Sequence, residues 1–585
     1  MPNEHEIKSE KILVKDIFST MWFRIPEYQR PYIWSSDEIN ELLDDLTFAS
    51  REKPDHEYFL GSFVFQSKKA NAELGMEFDE NDLLDGQQRM TTLLMLFACI
   101  RDLAKDDEAK KDCQSAIYQK GSEYRKVPER NRLVFAIRES VQDFVDEFIK
   151  TDGGTDREDD LKKIAKDSDS TSLQNMASAI LVIRQFFGEP ENGASPEGLL
   201  KFLMNYVLLI YVATQDLEDA FRLFMILNDR GVPLRNSDIL KSMNLGELAT
   251  DKEKLRYAKL WEEAENEMGD EFDRFLSHLR TILVKDKARL NLLQEYEDKI
   301  YDPKEKDKAT GERKPALLQK GKPTFQFIER YLKHYNKLFD EGSYEETGRS
   351  YEFDNLVKVM QIGLPSNDWI PPLLRYFDRF KHGQILEFLT KLDNKFSSDW
   401  IAQYSPTDRI QRMNRVIDVI ESTDDAQAVL DHECFLIDAA GFIRTVEASV
   451  YGRRFTRYLL LKLDYYFQDH SHPMALETLS VEHILPQNPK ANSQWMEDFD
   501  DVYRLEWEDR LGNLVLISTR KNSSQGRLEY SEKKEKYFQK RISTCPNSLR
   551  VLQGNDQWTP TELEANHDLV IATVYENYRI SETAT

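Results

Sequence analysis

NDLLDGQQRMTTLLML, residues 81–96, sets the reading of the first part of the chain. A short apolar run ends in Asp85-Gly86. Gln87, Gln88 and Arg89 follow, and apolar residues then recur at helical spacing: Met90, Leu93, Leu94, Phe97 and Ile100. The pattern predicts a short strand, a tight turn and a helix. The first N–H groups of a helix have no partner within it, and the helix dipole favours negative charge there. Arg89 adds a forked donor suited to phosphate. Gln87 and Gln88 can bond a base, a sugar or phosphate oxygens, and Asp85 can hold a metal ion or polarise a water. An ordinary Asp-Gly turn before a surface arginine has the same five letters, so neighbouring segments must decide between the two.

The chain has 585 residues, enough for three or four domains at roughly 150 residues each. Hydrophobic content of 40% allows packed cores, while 31% charged residues implies large solvated helical surfaces. No run approaches the ~20 apolar residues of a membrane span, and the opening MPNEHEIKSEKILVKD lacks the apolar centre of a signal peptide. A cytoplasmic protein is expected. The four cysteines, Cys99, Cys113, Cys434 and Cys545, form no Cys-x-x-Cys pair, which argues against a disulfide framework or a zinc ribbon. The net charge of -25 argues against a general nucleic-acid coat. It leaves room for a local basic face. One lies between Thr519 and Arg541, with eight Lys or Arg against three Glu.

Along the chain, SSDEINELLDDL predicts a helix capped by Ser35 or Ser36. EYFLGSFVFQS reads as a strand. VLLIYVAT reads as a strand after a helix, and a helix, a glycine turn and a new helix follow it. Residues 251–450 read as helical with charged faces, and the Lys-, Gly- and Pro-rich 301–323 as a loop. After 450 come the helix FTRYLLLKLDYYF, then SVEHILPQNP, an acidic Trp-containing loop, the strand-like GNLVLIS, and a basic helical segment. His470 and His472, in DHSHP, lack a third ligand at useful spacing and read as a solvated loop.

IPEYQRPYIW, FLGSFVF, LLDGQQRMTTL and FMILNDRGVPLRNSDILK occur in this order. Together they resemble the N-terminal domain of the GmrSD family of modification-dependent restriction enzymes, a domain similar to the ParB/sulfiredoxin fold. The resemblance implies binding and hydrolysis of a nucleoside triphosphate (ATP, GTP or UTP, without a stated preference). Asp85, Gly86, Gln87, Gln88 and Arg89 would lie at the phosphates, with Arg30 and Arg230 contributing from other segments. Met225 stands where a glutamate is expected.

A second constellation lies near the other end. VEHILPQ is followed by GNLVLIS, which places Asn513 thirty residues after His483; Asn522 comes nine residues later. A neutral histidine can deprotonate a water. A partner must fix its other ring nitrogen, and the amide of Asn513 or a backbone carbonyl can do so. Glu482 and Asn522 are nearby oxygen donors for a hard cation. EHILPQ…W…RLGNLVLIS…N resembles the C-terminal nuclease domain of the same family, a His-Me finger of the HNH, ββα-metal type. By that resemblance His483 is the general base, Asn513 the middle residue of the triad and Asn522 the last, with Glu482 and Asn522 toward the metal, Mg²⁺. Asn566 stands where an arginine is expected. The basic segment offers Arg520, Lys521, Arg527, Lys533 and Lys534 to DNA phosphates. Tyr530, Tyr537 and Phe538 read as core residues rather than base-stacking platforms.

The expected fold is mainly α with two small α+β cores. Residues 1–250 form a ParB/sulfiredoxin-like NTP-binding domain, 251–450 a helical middle region and 451–585 an HNH-type nuclease domain. The expected function is a single-chain type IV restriction endonuclease, with both halves of the family fused. It would hydrolyse NTP and cut double-stranded phage DNA containing modified cytosines, as a homodimer and with no membrane partner. Two alternatives share the motifs: a phosphorothioate-sensing NTPase and nickase, and a non-enzymatic NTP-switched interaction protein.

Overall fold

The computed structural model describes residues 8–580 apart from 27–28, 30, 72–76, 125–127, 137–138, 169, 190–191, 215–235, 270, 307–309, 340–349, 476–478, 519–526 and 539–544. Arg30, Arg230, Met225, Arg520, Lys521 and Asn522 therefore lie outside the described residues. The chain packs as two units, one up to Glu267 and one from Met268 onward.

The first unit is built on a six-stranded mixed sheet. Its order is Lys8–Leu13, Val207–Thr214, Tyr58–Asn71, Glu77–Asp85, Trp22–Ile25, Leu133–Phe135. Tyr58–Asn71 is the pivot: it pairs antiparallel with Glu77–Asp85 and parallel with Val207–Thr214. The strand expected at residues 82–85 is thus the end of a longer one. Beside the sheet, Ser36–Glu52 begins with the expected cap. Ser35 and Glu38 close a reciprocal capping box, and Ile39, Leu42, Leu43 and Leu46 are buried at helical spacing.

The helix from the opening stretch, Gln87–Leu103, is the central helix of this unit. Met90, Leu93, Leu94, Phe97 and Ile100 are buried as their spacing predicts, but so are Thr91, Met95, Leu96, Ala98 and Cys99. A helix buried on every side is an interior element, not a surface one. Its N-terminus is therefore fixed by packing along its whole length.

Among the described residues the second unit is mainly helical between Glu271 and Val446, with a non-helical stretch after Tyr301, then changes character as expected. Thr456–Phe467 is a helix, and Leu479–His483 pairs antiparallel with Leu514–Ser518. The helices Tyr530–Phe538, Pro546–Gly554 and Pro560–Tyr578 follow. A compact apolar cluster holds the hairpin against them: Ile484, Leu485, Val515 and Ile517 meet Trp495, Tyr530, Tyr537, Val551 and Trp558. The acidic loop thus supplies a core tryptophan, whose indole N–H donates to the Leu528 carbonyl. Tyr530 and Tyr537 are core residues, as read from the sequence. All four cysteines are free, and Cys99 is buried. Among the described residues no helix is long and apolar enough to cross a membrane.

Candidate functional site

In the first unit Asp85, Gly86 and Gln88 of the five-residue box build the turn, and Arg89 lies against the neighbouring strand. Asp85 ends its strand opposite Val64. Gly86 caps the helix with φ 87°, a left-handed conformation that glycine adopts freely. A Cβ there would stand 2.7 Å from the Cβ of Phe63, so no other residue fits without displacing the strand. Gln88 is spent on architecture. Its Oε1 accepts from the Ile33 and Trp34 amides, and its Nε2 donates to the Pro31 carbonyl. Gln29 likewise donates to the Leu84 carbonyl. Gln29 and Pro31, on either side of Arg30, are thereby tied against the box.

Arg89 is different. Its guanidinium donates to the Ser62 carbonyl at 3.0 Å and makes no other hydrogen bond among the described residues. It lies over Gly61, where a Cβ would come within 3.0 Å of the guanidinium carbon. Gly61 sits at a register shift in its strand with φ 129°. This bulge is what makes room for Arg89, a role not legible in a lone strand glycine. Burial lowers the Arg89 pKa and Asp85 opposes the effect. The remaining donors of the fork are left for an anion.

In the second unit His483 ends its strand, and three side chains frame it. Its Nε2 lies 3.0 Å from Oδ1 of Asp509, which also accepts from Nε2 of Gln487 at 3.0 Å. The Tyr451 ring packs edge-on against the imidazole at 4.2 Å. The Asp509 carbonyl in turn accepts from the amides of Val450 and Tyr451, so carboxylate and ring are fixed together. With Nε2–H donated to Asp509, Nδ1 carries the lone pair. Burial lowers the His483 pKa, opposed by Asp509, which keeps the ring neutral at neutral pH.

Asn513 does not touch the imidazole, contrary to one of the two partners foreseen for it. Its amide is fully used on the chain just beyond the histidine. Oδ1 accepts from the Leu485 amide, and Nδ2 donates to the carbonyls of Leu485 and Glu508. It pins the turn that follows His483 and leaves the ring to Asp509, which the sequence reading missed. The only signal for Asp509 was an acidic residue four positions before Asn513.

The helix Pro560–Tyr578 closes onto the same turn. A Cβ on Gly512 would meet the Cα of His567 at 2.5 Å, so the helix rests directly on glycine backbone. Asn566 donates to the Gly512 carbonyl at 2.6 Å and accepts from Arg550 at 2.6 Å. Asn566, standing where an arginine is expected, is thus held between the Gly512 carbonyl and Arg550 of the neighbouring helix.

One expected DNA contact is turned inward. Lys533 is 3% exposed and turned inward, with its ammonium on Glu482 and on the carbonyls of His483 and Ile484. Lys534 bonds Asp556 and the Asn555 carbonyl. Tyr530 and Tyr537 face the core and carry Lys533 in with them, which a charge count cannot show. Arg527 is exposed. The inward turn of Lys533 also occupies Glu482. Among the described residues no group of three or more His, Cys, Asp or Glu could hold a metal ion. These donors alone do not complete a divalent-cation site, and no step below passes through one. His470, expected in a solvated loop, is instead half-buried, packed on Tyr465 and bonded to the buried Asn355, while His472 is exposed.

The family model described as "GmrSD restriction endonuclease, N-terminal domain" matches residues 11–245, and "GmrSD restriction endonucleases, C-terminal domain" matches residues 441–572. The chain belongs to the GmrSD family. The N-terminal match contains the box and all of the mixed sheet but the first three residues of Lys8–Leu13. The C-terminal match contains the His483 hairpin and the helices packed on it. One GmrSD chain thus carries both restriction endonuclease domains. No curated protein gives a significant match to the chain.

Proposed function

We propose that this GmrSD chain is a type IV restriction endonuclease that binds and hydrolyses a nucleoside triphosphate and cuts double-stranded DNA carrying modified cytosines. In this reading the first unit is a ParB/sulfiredoxin-like nucleotide-binding domain, and the hairpin with its following helices is a His-Me finger. The protein works in the cytoplasm, and two cuts across a duplex favour a homodimer. The observation that carries the proposal is the neutral His483, its ring fixed by Asp509 and its turn pinned by Asn513.

His483 takes a proton from the attacking water at Nδ1. Asp509 holds the Nε2–H and stabilises the imidazolium that forms. Asn513 keeps the turn from shifting as charge develops. The Mg²⁺ requirement implied by the family resemblance belongs to the proposal; Glu482 and Asn522 are its expected donors, and Glu482 would have to exchange Lys533 for the cation. Adding a chelator tests it. The deciding experiment compares matched duplexes with cytosine, 5-methylcytosine, 5-hydroxymethylcytosine and glucosylated cytosine, with and without NTP. Cutting confined to modified duplexes supports the reading, and equal cutting of all four sinks the modified-base part of it.

Two variants extend the test. Asp509→Asn keeps the size of the side chain but allows the amide to present its donor to Nε2, which favours the wrong tautomer. We expect kcat for cutting to fall by about 10²-fold or more while the duplex is bound as before. An unchanged kcat would remove Asp509 from the mechanism. Arg89→Ala removes a fork that, among the described residues, gives the box one hydrogen bond and keeps donors to spare. A charge-assisted hydrogen bond contributes about 1.5–3 kcal/mol, so NTP turnover or affinity should drop about 10- to 100-fold. Normal NTP kinetics in that variant would move the phosphate site elsewhere.

A further inference from the structure

Lys533 is the buried charge near His483 that the proposed chemistry does not use. Its ammonium has three donors, and three oxygens surround it. Glu482 Oε1 lies at 2.8 Å, the His483 carbonyl at 2.6 Å and the Ile484 carbonyl at 3.1 Å. Every donor is therefore committed to three consecutive residues. Asn513 takes the next one, Leu485, through both its amide and its carbonyl. The main chain from 483 to 485, and the side chain of Glu482 before it, are thus gripped continuously, by a lysine on one side and an asparagine on the other.

The two grips come from different elements. Asn513 leads into the partner strand of the hairpin. Lys533 sits in the helix Tyr530–Phe538, which follows that strand by way of the basic segment. Tyr530 and Tyr537 anchor the helix in the core on either side of Lys533. A lysine so placed is turned away from any DNA phosphate, and burying an ammonium merely to stabilise a fold is costly. The bonds it makes converge on the residue that carries the base.

We propose that Lys533 is a positioning residue for His483. It locks the helix to the end of the strand and so fixes the main chain from which the imidazole projects, while Asp509 fixes the ring. Removing the ammonium frees the 483 and 484 carbonyls and lets the base drift from its attack geometry. Misplacement of a reacting group by about 1 Å can cost about 10²-fold in rate. A phosphate contact would behave differently. It would weaken DNA binding for every sequence and reduce the salt dependence of binding by about one counterion.

This inference rests on the nuclease reading, and the experiment separates the two. Cutting and DNA binding are measured for the full-length wild type, Lys533→Met, Lys533→Gln and His483→Ala. Lys533→Gln is included because its neutral amide still donates to carbonyls and leaves the pocket filled should Lys533→Met fail to fold. We expect kcat to fall about 10²-fold in Lys533→Met and about 10-fold in Lys533→Gln, with KM for DNA and the salt slope unchanged. Two results would overturn the proposal: wild-type kcat in the folded lysine variants, or weakened DNA binding with a shallower salt slope. If His483→Ala cuts as well as wild type, the nuclease reading itself fails. If His483→Ala is inactive while both lysine variants match wild type, that reading stands and the role of Lys533 does not.

Discussion

His483→Ala is expected to abolish detectable DNA cutting while leaving NTP hydrolysis at its wild-type rate. Loss of a general base costs about 10²–10⁴ in rate, and here the substitution also removes the partner of Asp509. The two activities should separate because their residues lie in different units. The box is in the unit that ends at Glu267, and the histidine is in the unit that begins at Met268. Folding should survive. The turn after His483 is held through main-chain groups by Asn513 and Lys533, and neither uses the imidazole. A variant that still cuts modified DNA at more than about a tenth of the wild-type rate would show that another group takes the proton. Parallel loss of NTP turnover would show instead that the two activities are obligatorily coupled.

Much of this was legible in the sequence, for reasons that differ from residue to residue. Gly86 could be read because Asp-Gly before a helix is a local signal and its conformational demand is local. The Ser35 cap with Glu38 three residues on is another such signal. His483 and Asn513 could be read as a set, because a hairpin brings residues thirty apart into register. What the sequence hid depends on direction. Gln88 looks like a ligand-binding amide, yet it faces the loop at 31–34. Lys533 looks like one cation in a basic run, yet helix phase turns it inward between Tyr530 and Tyr537. Asp509 lies in a stretch so rich in carboxylates that nothing marks it out. Its role appears only when the loop folds back to the strand end. Arg550 and Asn566, sixteen residues apart, meet because their two helices pack together, which a motif does not record.

Lys462→Met is expected to destabilise the second unit by about 3–5 kcal/mol, the range for leaving one partner of a buried ion pair uncompensated. Lys462 and Asp393 are essentially inaccessible and bonded to each other, and Tyr458 donates to the other oxygen of Asp393 at 2.7 Å. Methionine fills the space of the stem but strands the carboxylate. Against a typical total of about 5–15 kcal/mol, that is a large fraction. The double variant Lys462→Met, Asp393→Asn should regain much of the loss, since the amide carries no charge and can still accept from Tyr458. A loss below about 1 kcal/mol for Lys462→Met in urea unfolding would mean the pair is hydrated in solution. The consequence reaches the nuclease. Thr456–Phe467 is buried on all sides, against Ser350–Gly363 and Pro546–Gly554, and Lys462 reaches from it into the helix Ile385–Ile401. A fragment of residues 451–585 would expose that helix and leave Lys462 without Asp393. We therefore expect it not to fold by itself, whereas a fragment beginning at Met268 should unfold cooperatively. The helices between the two matched family domains then act as part of the scaffold that holds His483, rather than as a linker leading to it.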